Sequence, residues 1–276
     1  MDKSSYFLIN LNEQKKRLIS SLDELYRVGK SDNITRIEAC GKKKAEFISY
    51  RYISQKAEDN IKNPLSTKII PNYSAVGCAI SHIKCWKYII DNNIQHSFIV
   101  EDDIKINDDT KFKNDIFNIE KKVDNLKDKN ILIVFNTIRC NNNTNYYTNY
   151  DSIYHIRNIH LNRICGMFCN TYYYYINLNM AKLLYNNLNN IDYQIDLEIG
   201  RFASSYIHCK DTIFLNYNTN SIGCNPKFKT SIQFHVIDLK ELMNIFNISE
   251  DIANCIYLYI PDCFKKKRSN YYHYQS

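Results

Sequence analysis

Phe98-Ile99-Val100-Glu101-Asp102-Asp103 runs three apolar residues straight into three consecutive carboxylates. A short apolar run of this kind reads as a buried strand of an α/β sheet. The carboxylates then stand where that strand leaves the core. Adjacent negative charges repel one another, and holding three of them at the lip of a core costs stability. A hard divalent cation, Mn²⁺ or Mg²⁺, removes that cost because it prefers carboxylate oxygens. The competing reading is a solvated acidic turn, and the residues upstream weigh against it.

Outward from this stretch the pattern is strand and helix in alternation. Tyr6 to Leu11 reads as a strand. Asn12 is placed to cap a helix carrying Leu18, Leu22, Leu25 and Tyr26 at helical spacing, with Gly29 at its end. Ile34 to Ala39 reads as a second strand, so the chain opens as a βαβ unit with parallel strands. Lys42 to Asn63 reads as helix giving way to loop, and Pro64 and Pro71 bracket an irregular connection. Ser74 is the expected cap of an amphipathic helix reaching about Asn92, followed by the strand His96 to Val100. Further helices are expected at Asp108 to Leu126, Leu178 to Leu188 and Asp238 to Phe246. Further strands are expected at Ile131 to Phe135, Tyr154 to Ile159, Met167 to Ile176, Thr212 to Leu215 and Ile232 to Ile237. Residues 139–150 are Asn-rich and read as loop. No repeat and no compositional break divides the chain. The expectation is a single domain over 1–276, with a first half at 1–135, a second at 150–250 and a basic tail at 264–276.

Length, charge and cysteine usage exclude several classes. The 276 residues are 45% hydrophobic and 24% charged, an ordinary globular balance. Abundant Asn, Ile, Lys and Tyr fit the codon bias of an AT-rich genome, so the sequons at Asn33, Asn72, Asn142 and Asn247 carry no message about secretion. Part of the net charge of +7 sits in Lys265-Lys266-Lys267-Arg268, followed by Tyr271, Tyr272 and Tyr274. That run is either a patch for an anionic partner or a solvated tail, and a solvated tail is the simpler account. Ten cysteines are scattered without a CxxC pair or a Cys/His cluster at zinc spacing, which reads as reduced thiols. Cys78 and Cys85 fall on one side of a helix, as core thiols would. No signal peptide is visible and no apolar run approaches about 18 residues, so a soluble, cytoplasmic chain without a transmembrane segment is expected.

Gly77-Cys78-Ala79-Ile80-Ser81-His82, then Trp86, then Glu101-Asp102-Asp103 together resemble the signature of glycosyltransferase family 25, roughly GCxxSHxxxW followed by an apolar strand and EDD. That family includes lipooligosaccharide and collagen hydroxylysine galactosyltransferases. Phe7-Leu8-Ile9-Asn10-Leu11 with Arg17 is similar to its N-terminal INL…R segment. Glu38-Ala39-Cys40-Gly41 is similar to its A-x-G strand end, and Ala181-Lys182-Leu183-Leu184 with Asp196 to its A-x-x-L-L…D segment. The resemblance spans about residues 6 to 200. The chain departs from it at Glu13-Gln14-Lys15-Lys16, where the family tends to carry Arg, Pro and Asp, and at Ser74-Ala75, where it carries Gly-Glu.

The resemblance implies a GT-A-like, Rossmann-like α/β fold with a mixed central sheet. It also implies a metal-dependent, inverting transfer of galactose or glucose from a UDP-sugar to a glycan or hydroxylysine-type acceptor. Together with the AT-rich bias it suits a large DNA virus or a bacterium. Release of a diphosphate calls for a cation held by carboxylates. Strand alternation puts Glu101 and Asp103 on one side, with Asp102 turned elsewhere or supporting them. Asp103 is the expected metal ligand, with Glu101 acting beside it or through the donor. Asn10, Arg17, His82, Glu101 and Asp102 are the expected donor-binding residues. Asp196 is the candidate general base, with Asp192 and Glu198 as rivals. His208 or His235 is a candidate late metal ligand. The Tyr172-Tyr173-Tyr174-Tyr175 run reads as strand rather than as a sugar-stacking platform. Two other readings stand beside this one. One is an inactive relative that binds a glycan or partner; the other is a basic nucleic-acid-binding protein, whose motif support is thin.

Overall fold

The computed structural model of the protein describes residues 4–63, 69–139, 155–156, 159–164 and 166–228. The strand expected at 232–237, the helix expected at 238–246, His235 and the basic tail lie outside the described residues.

The first strands are β1 (Ser5–Asn10), β2 (Ile34–Glu38), β3 (His96–Glu101) and β4 (Ile104–Ile106). Then come β5 (Asn130–Phe135), β6 (Ile138–Arg139), β7 (His155–Ile156) and β8 (Ile159–Arg163). The last are β9 (Phe168–Cys169), β10 (Tyr173–Asn177), β11 (Thr212–Tyr217) and β12 (Ile222–Cys224). The helices are α1 (Lys15–Arg27), α2 (Lys42–Ile48), α3 (Gln55–Lys62), α4 (Tyr73–Asp91), α5 (Asp109–Asp124), α6 (Leu178–Asn187) and α7 (Ile195–Ser204). Eight strands form one mixed sheet in the order β2-β1-β3-β10-β5-β11-β8-β7. β1 is parallel to both β2 and β3, whereas β10 runs antiparallel between β3 and β5. This is the Rossmann-like α/β arrangement of a GT-A fold.

Strand alternation builds two helical layers on this sheet. Phe7, Ile9, Ile99 and Tyr174 face α4 and α6, while Tyr6, Leu8, Phe98, Tyr173 and Tyr175 face α5 and Leu25 of α1. The tyrosine run is therefore core. Tyr173, Tyr174 and Tyr175 are fully buried, and Tyr173 packs edge-on against Phe135 at a centroid distance of 4.7 Å. Ala181 and Leu184 are also fully buried, so that part of the family-like pattern serves packing.

Two helix caps differ from expectation. α1 begins after Gln14 with no side-chain cap, because Arg36 reaches Asn12 Oδ1 and takes that side chain away from the helix. Asn72 rather than Ser74 caps α4, its Oδ1 accepting from the Ala75 N–H at 3.0 Å. Gly29, at φ +79°, ends α1 in the left-handed conformation that glycine tolerates.

The connections decide where a ligand fits. The chain leaves β1 for β2 on one side, then returns to β3 on the other. Such a reversal opens a crevice beyond the carboxyl ends of the two strands. Asn10 ends β1 and Glu101 ends β3. α4 closes the crevice from one layer, and Gly77 sets its approach. A Cβ on Gly77 would stand 2.2 Å from the Cys40 carbonyl oxygen, so no side chain fits. Ser81 fastens the same contact, accepting from the Cys40 N–H at 2.8 Å and donating to the Gly77 carbonyl at 2.6 Å. Gly77→Ala is therefore expected to push α4 off the sheet edge and cost about 1–3 kcal/mol. Thermal unfolding of the purified variant checks this; an unchanged melting temperature would mean the contact is slack.

Candidate active site

A cavity of about 380 Å³ opens at the ends of β1 and β3, within the range of about 300–1,000 Å³ common for small-ligand pockets. Asn10, Arg17, His82, Glu101, Asp102, Asp103 and Asp196 all line it. The fold thus brings these seven expected site residues to one cavity. Neither Asp192 nor Glu198 lines it. Glu198 is fully buried, accepting from the Asp192 and Tyr193 N–H groups and pairing with Arg201. Asp192 pairs with Ser54 and Lys56. His208 is exposed and does not line the cavity.

Strand alternation stops at the carboxylates, because β3 ends at Glu101 and the chain turns before β4. Asp102 therefore lines the same cavity as its neighbours. Its Oδ2 accepts from Asn10 Nδ2 at 2.6 Å, and its Oδ1 lies 2.7 Å from Arg17 Nη2. The same Arg17 nitrogen is 3.2 Å from Asp103 Oδ2. Arg36 fixes Asn10 in turn, donating from Nε to Asn10 Oδ1 at 3.1 Å. Arg17, expected among the donor-binding residues, is here bound by two carboxylates.

Charge in this crevice is under-compensated. Burial, then Glu101, pushes the Asp103 carboxyl up to about 7 against the pull of Arg17. Burial also raises Asp102, with Arg17 and Asn10 opposing. Asp103 Oδ1 is buried and has no hydrogen-bond partner. That orphaned oxygen, beside a Glu101 side chain that is 27% exposed, leaves carboxylate oxygens free for a hard divalent cation.

Asp196 sits in the first turn of α7. Its Oδ2 accepts from the Asn170 N–H at 3.0 Å and its Oδ1 from the Leu197 N–H at 2.8 Å. Asn170 holds φ +89°, a strained geometry for a residue with a side chain, and Asp196 takes its N–H. Burial outweighs these two bonds and lifts the Asp196 carboxyl to about 6. A carboxylate with that value is suited to take a proton near neutral pH.

His82 is fully buried. Its Nδ1 lies 3.0 Å from the Tyr174 hydroxyl, which also accepts from Trp86 Nε1 at 3.0 Å. Its Nε2 is 3.4 Å from Glu101 Oε1. The motif thus resolves into one helix face. Gly77 and Ser81 fix the helix, His82 and Trp86 share Tyr174, and Cys78 faces the cavity. Cys85 is core as expected, and Cys78 packs against the same core while also lining the cavity. Asn170, Thr171 and Gln194 also line the cavity. They come from the β9–β10 connection and the residue before α7, and no local pattern marked them.

Residues 3–199 match the family model described as Glycosyltransferase family 25 (LPS biosynthesis protein). A stretch of 118 residues is 24% identical to procollagen galactosyltransferase 2 of Homo sapiens, and equally to that of Mus musculus. Each alignment covers 43% of this chain and 18% of the relative, so the match spans under a fifth of those proteins. With the fold, the cavity and a family match over most of its length, this chain belongs to glycosyltransferase family 25.

Asp103 gives a prediction about stability. Its folded-state pKa is raised above the unfolded one, so its contribution is fully present below about pH 4 and lost as pH rises towards 7. Asp103→Asn, which cannot ionise, is expected to stabilise the metal-free protein by about 1–2 kcal/mol at pH 8. Near pH 5 the gain is expected to be smaller. Melting temperatures of both proteins at the two pH values check the sign; a larger gain at pH 5 would contradict it.

Proposed function

We propose that the chain is an inverting glycosyltransferase, moving galactose or glucose from a UDP-sugar to a hydroxyl of a glycan or hydroxylysine-type acceptor. The observation that carries the reading is one cavity at the reversal of strand order, holding the Glu101-Asp102-Asp103 carboxylates and Asp196. The family's name and that of the procollagen relatives support the sugar class.

Glu101 and the free oxygen of Asp103 would hold Mn²⁺ or Mg²⁺, and Arg17 and Asn10 keep Asp102 in place behind them. Once bound, such an ion supplies positive charge against the diphosphate that departs. Asp196 accepts the proton of the acceptor hydroxyl, whose oxygen then bonds to the anomeric carbon. The bond from that carbon to the UDP oxygen breaks on the opposite face, so configuration inverts. One base suffices for such a displacement. The two bonds that hold Asp196 come from backbone N–H groups rather than from a cationic side chain, which leaves it free to take a proton. His82, held by Tyr174, stands beside Glu101.

Transfer should rise with pH through about 6, as Asp196 loses its proton, and level off above. Asp196→Asn should lower kcat by about 10²–10⁴-fold while leaving UDP affinity near that of the parent chain. Turnover assays over a pH series with a panel of UDP-sugars check both; an active Asp196→Asn protein would remove the base assignment. Asp103→Ala should abolish the manganese-dependent part of UDP binding without unfolding the protein. Calorimetric titration of UDP with and without Mn²⁺ reads that outcome. Metal-independent UDP binding by the parent chain would instead favour an inactive binding relative.

A further inference from the structure

Among the described residues, one group of three metal-ligating side chains has its donor atoms within 4.8 Å of one another: Cys78, His82 and Glu101. We propose that these three form a binding site for a borderline-soft divalent cation of the zinc type, separate from the Asp103 oxygen.

The donor set fits that class. Thiolate, imidazole and carboxylate are the three side-chain types that bind Zn²⁺, whereas a thiolate is a poor ligand for Mg²⁺ or Mn²⁺. Spacing fits as well. Two ligands each about 2.0–2.1 Å from a tetrahedral ion stand about 3.3–3.4 Å apart, and His82 Nε2 lies 3.4 Å from Glu101 Oε1. His82 supplies an independent sign of a missing partner. The ring is fully buried, yet its Nε2 makes no hydrogen bond. Buried polar atoms are nearly always satisfied, so this one calls for an explanation.

The surroundings suit a ligating imidazole. A metal at Nε2 requires the proton on Nδ1, and Nδ1 faces the Tyr174 oxygen at 3.0 Å. A phenolic oxygen has two lone pairs, so Tyr174 can accept from His82 and Trp86 together. Such a second contact fixes the ring and the tautomer of a metal-bound histidine. Burial and the facing carboxylates raise the Cys78 thiol well above its ordinary value while no cation is near. A bound cation reverses that preference, because a coordinated thiol loses its proton. Three protein ligands leave a fourth position, which opens to the cavity that Cys78, His82 and Glu101 all line. Glu101 is the one donor shared with the Asp103 side, so zinc held here withdraws it from that side.

The test does not depend on transferase activity. The metal-stripped full chain, kept reduced, is titrated with Co²⁺. One equivalent should give a near-ultraviolet thiolate-to-cobalt charge-transfer band and the visible bands of a tetrahedral ion, both bleached by Zn²⁺. Cys78→Ser should lose the near-ultraviolet band, and Glu101→Gln should weaken binding about tenfold or more. Asp103→Asn should keep the spectrum. No near-ultraviolet band, or one that survives in Cys78→Ser, overturns the site; loss of the spectrum in Asp103→Asn overturns its separateness. Should Cys78→Ser not fold by circular dichroism, X-ray absorption of the zinc-loaded parent chain decides. One sulphur at about 2.3 Å with nitrogen and oxygen at about 2.0 Å supports the site, and a shell without sulphur overturns it.

Discussion

At the ends of β1 and β3 three carboxylates face one buried guanidinium, and most of the site follows from that imbalance. Arg17 Nη2 lies within 3.2 Å of both Asp102 and Asp103, so a single positive charge is divided between two acids. Glu101 then has no basic side chain of its own among the described contacts beyond the His82 ring. Removing ions from water is costly, and an ion pair recovers the cost only when its geometry and charges balance. Here they do not balance, which is why burial lifts Asp103 towards neutrality and leaves one of its oxygens without a partner. The protein holds this excess in place because the surrounding core is large and rigid. β1 and β3 sit inside the sheet with fully buried side chains on both faces. A site of this kind is stable enough to persist and unsatisfied enough to bind.

The second constraint is how near α4 comes to the strand ends. Gly77 admits the Cys40 carbonyl where any side chain would collide, and Ser81 bonds both sides of that contact. Only with the helix at this depth do Cys78 and His82 reach the crevice. One turn further on, Trp86 reaches Tyr174 in the sheet, and Tyr174 in turn holds His82. The spacing Gly77, Ser81, His82, Trp86 is thus a packing prescription as much as a chemical one. Core tyrosine and cavity histidine are coupled, so the interior of the sheet sets the orientation of a side chain at its edge.

Much of the fold was legible because its cues are local. The βαβ opening, the helix before β3 and the strand running into Glu101 all follow from apolar spacing and turn residues. Both helix-cap expectations missed by two residues, because Arg36 competes for Asn12 and because Asn72 was available earlier than Ser74. Cys78 and Cys85 share a helical face, which suggested a common fate. Both pack on the same core, but Cys78 also reaches the cavity, and no periodicity records where a helix face meets a crevice. In sequence Asp196 stood beside Asp192 and Glu198 as rivals; the start of α7 and the pairing of buried Glu198 with Arg201 decide which one meets the cavity.

Sequence alone determined the α/β class, the strand-end carboxylates and several of the side chains that line the cavity. These depend on residue type and short-range spacing, which the chain carries wherever it goes. Tertiary structure decided that Arg17 neutralises acids rather than standing free, and that all three carboxylates turn inward. It also decided that Cys78, His82 and Glu101 come within ligand distance of one another. Each of these joins residues from separate elements, and their distances are set by how closely a helix packs on a sheet, a quantity no single segment encodes.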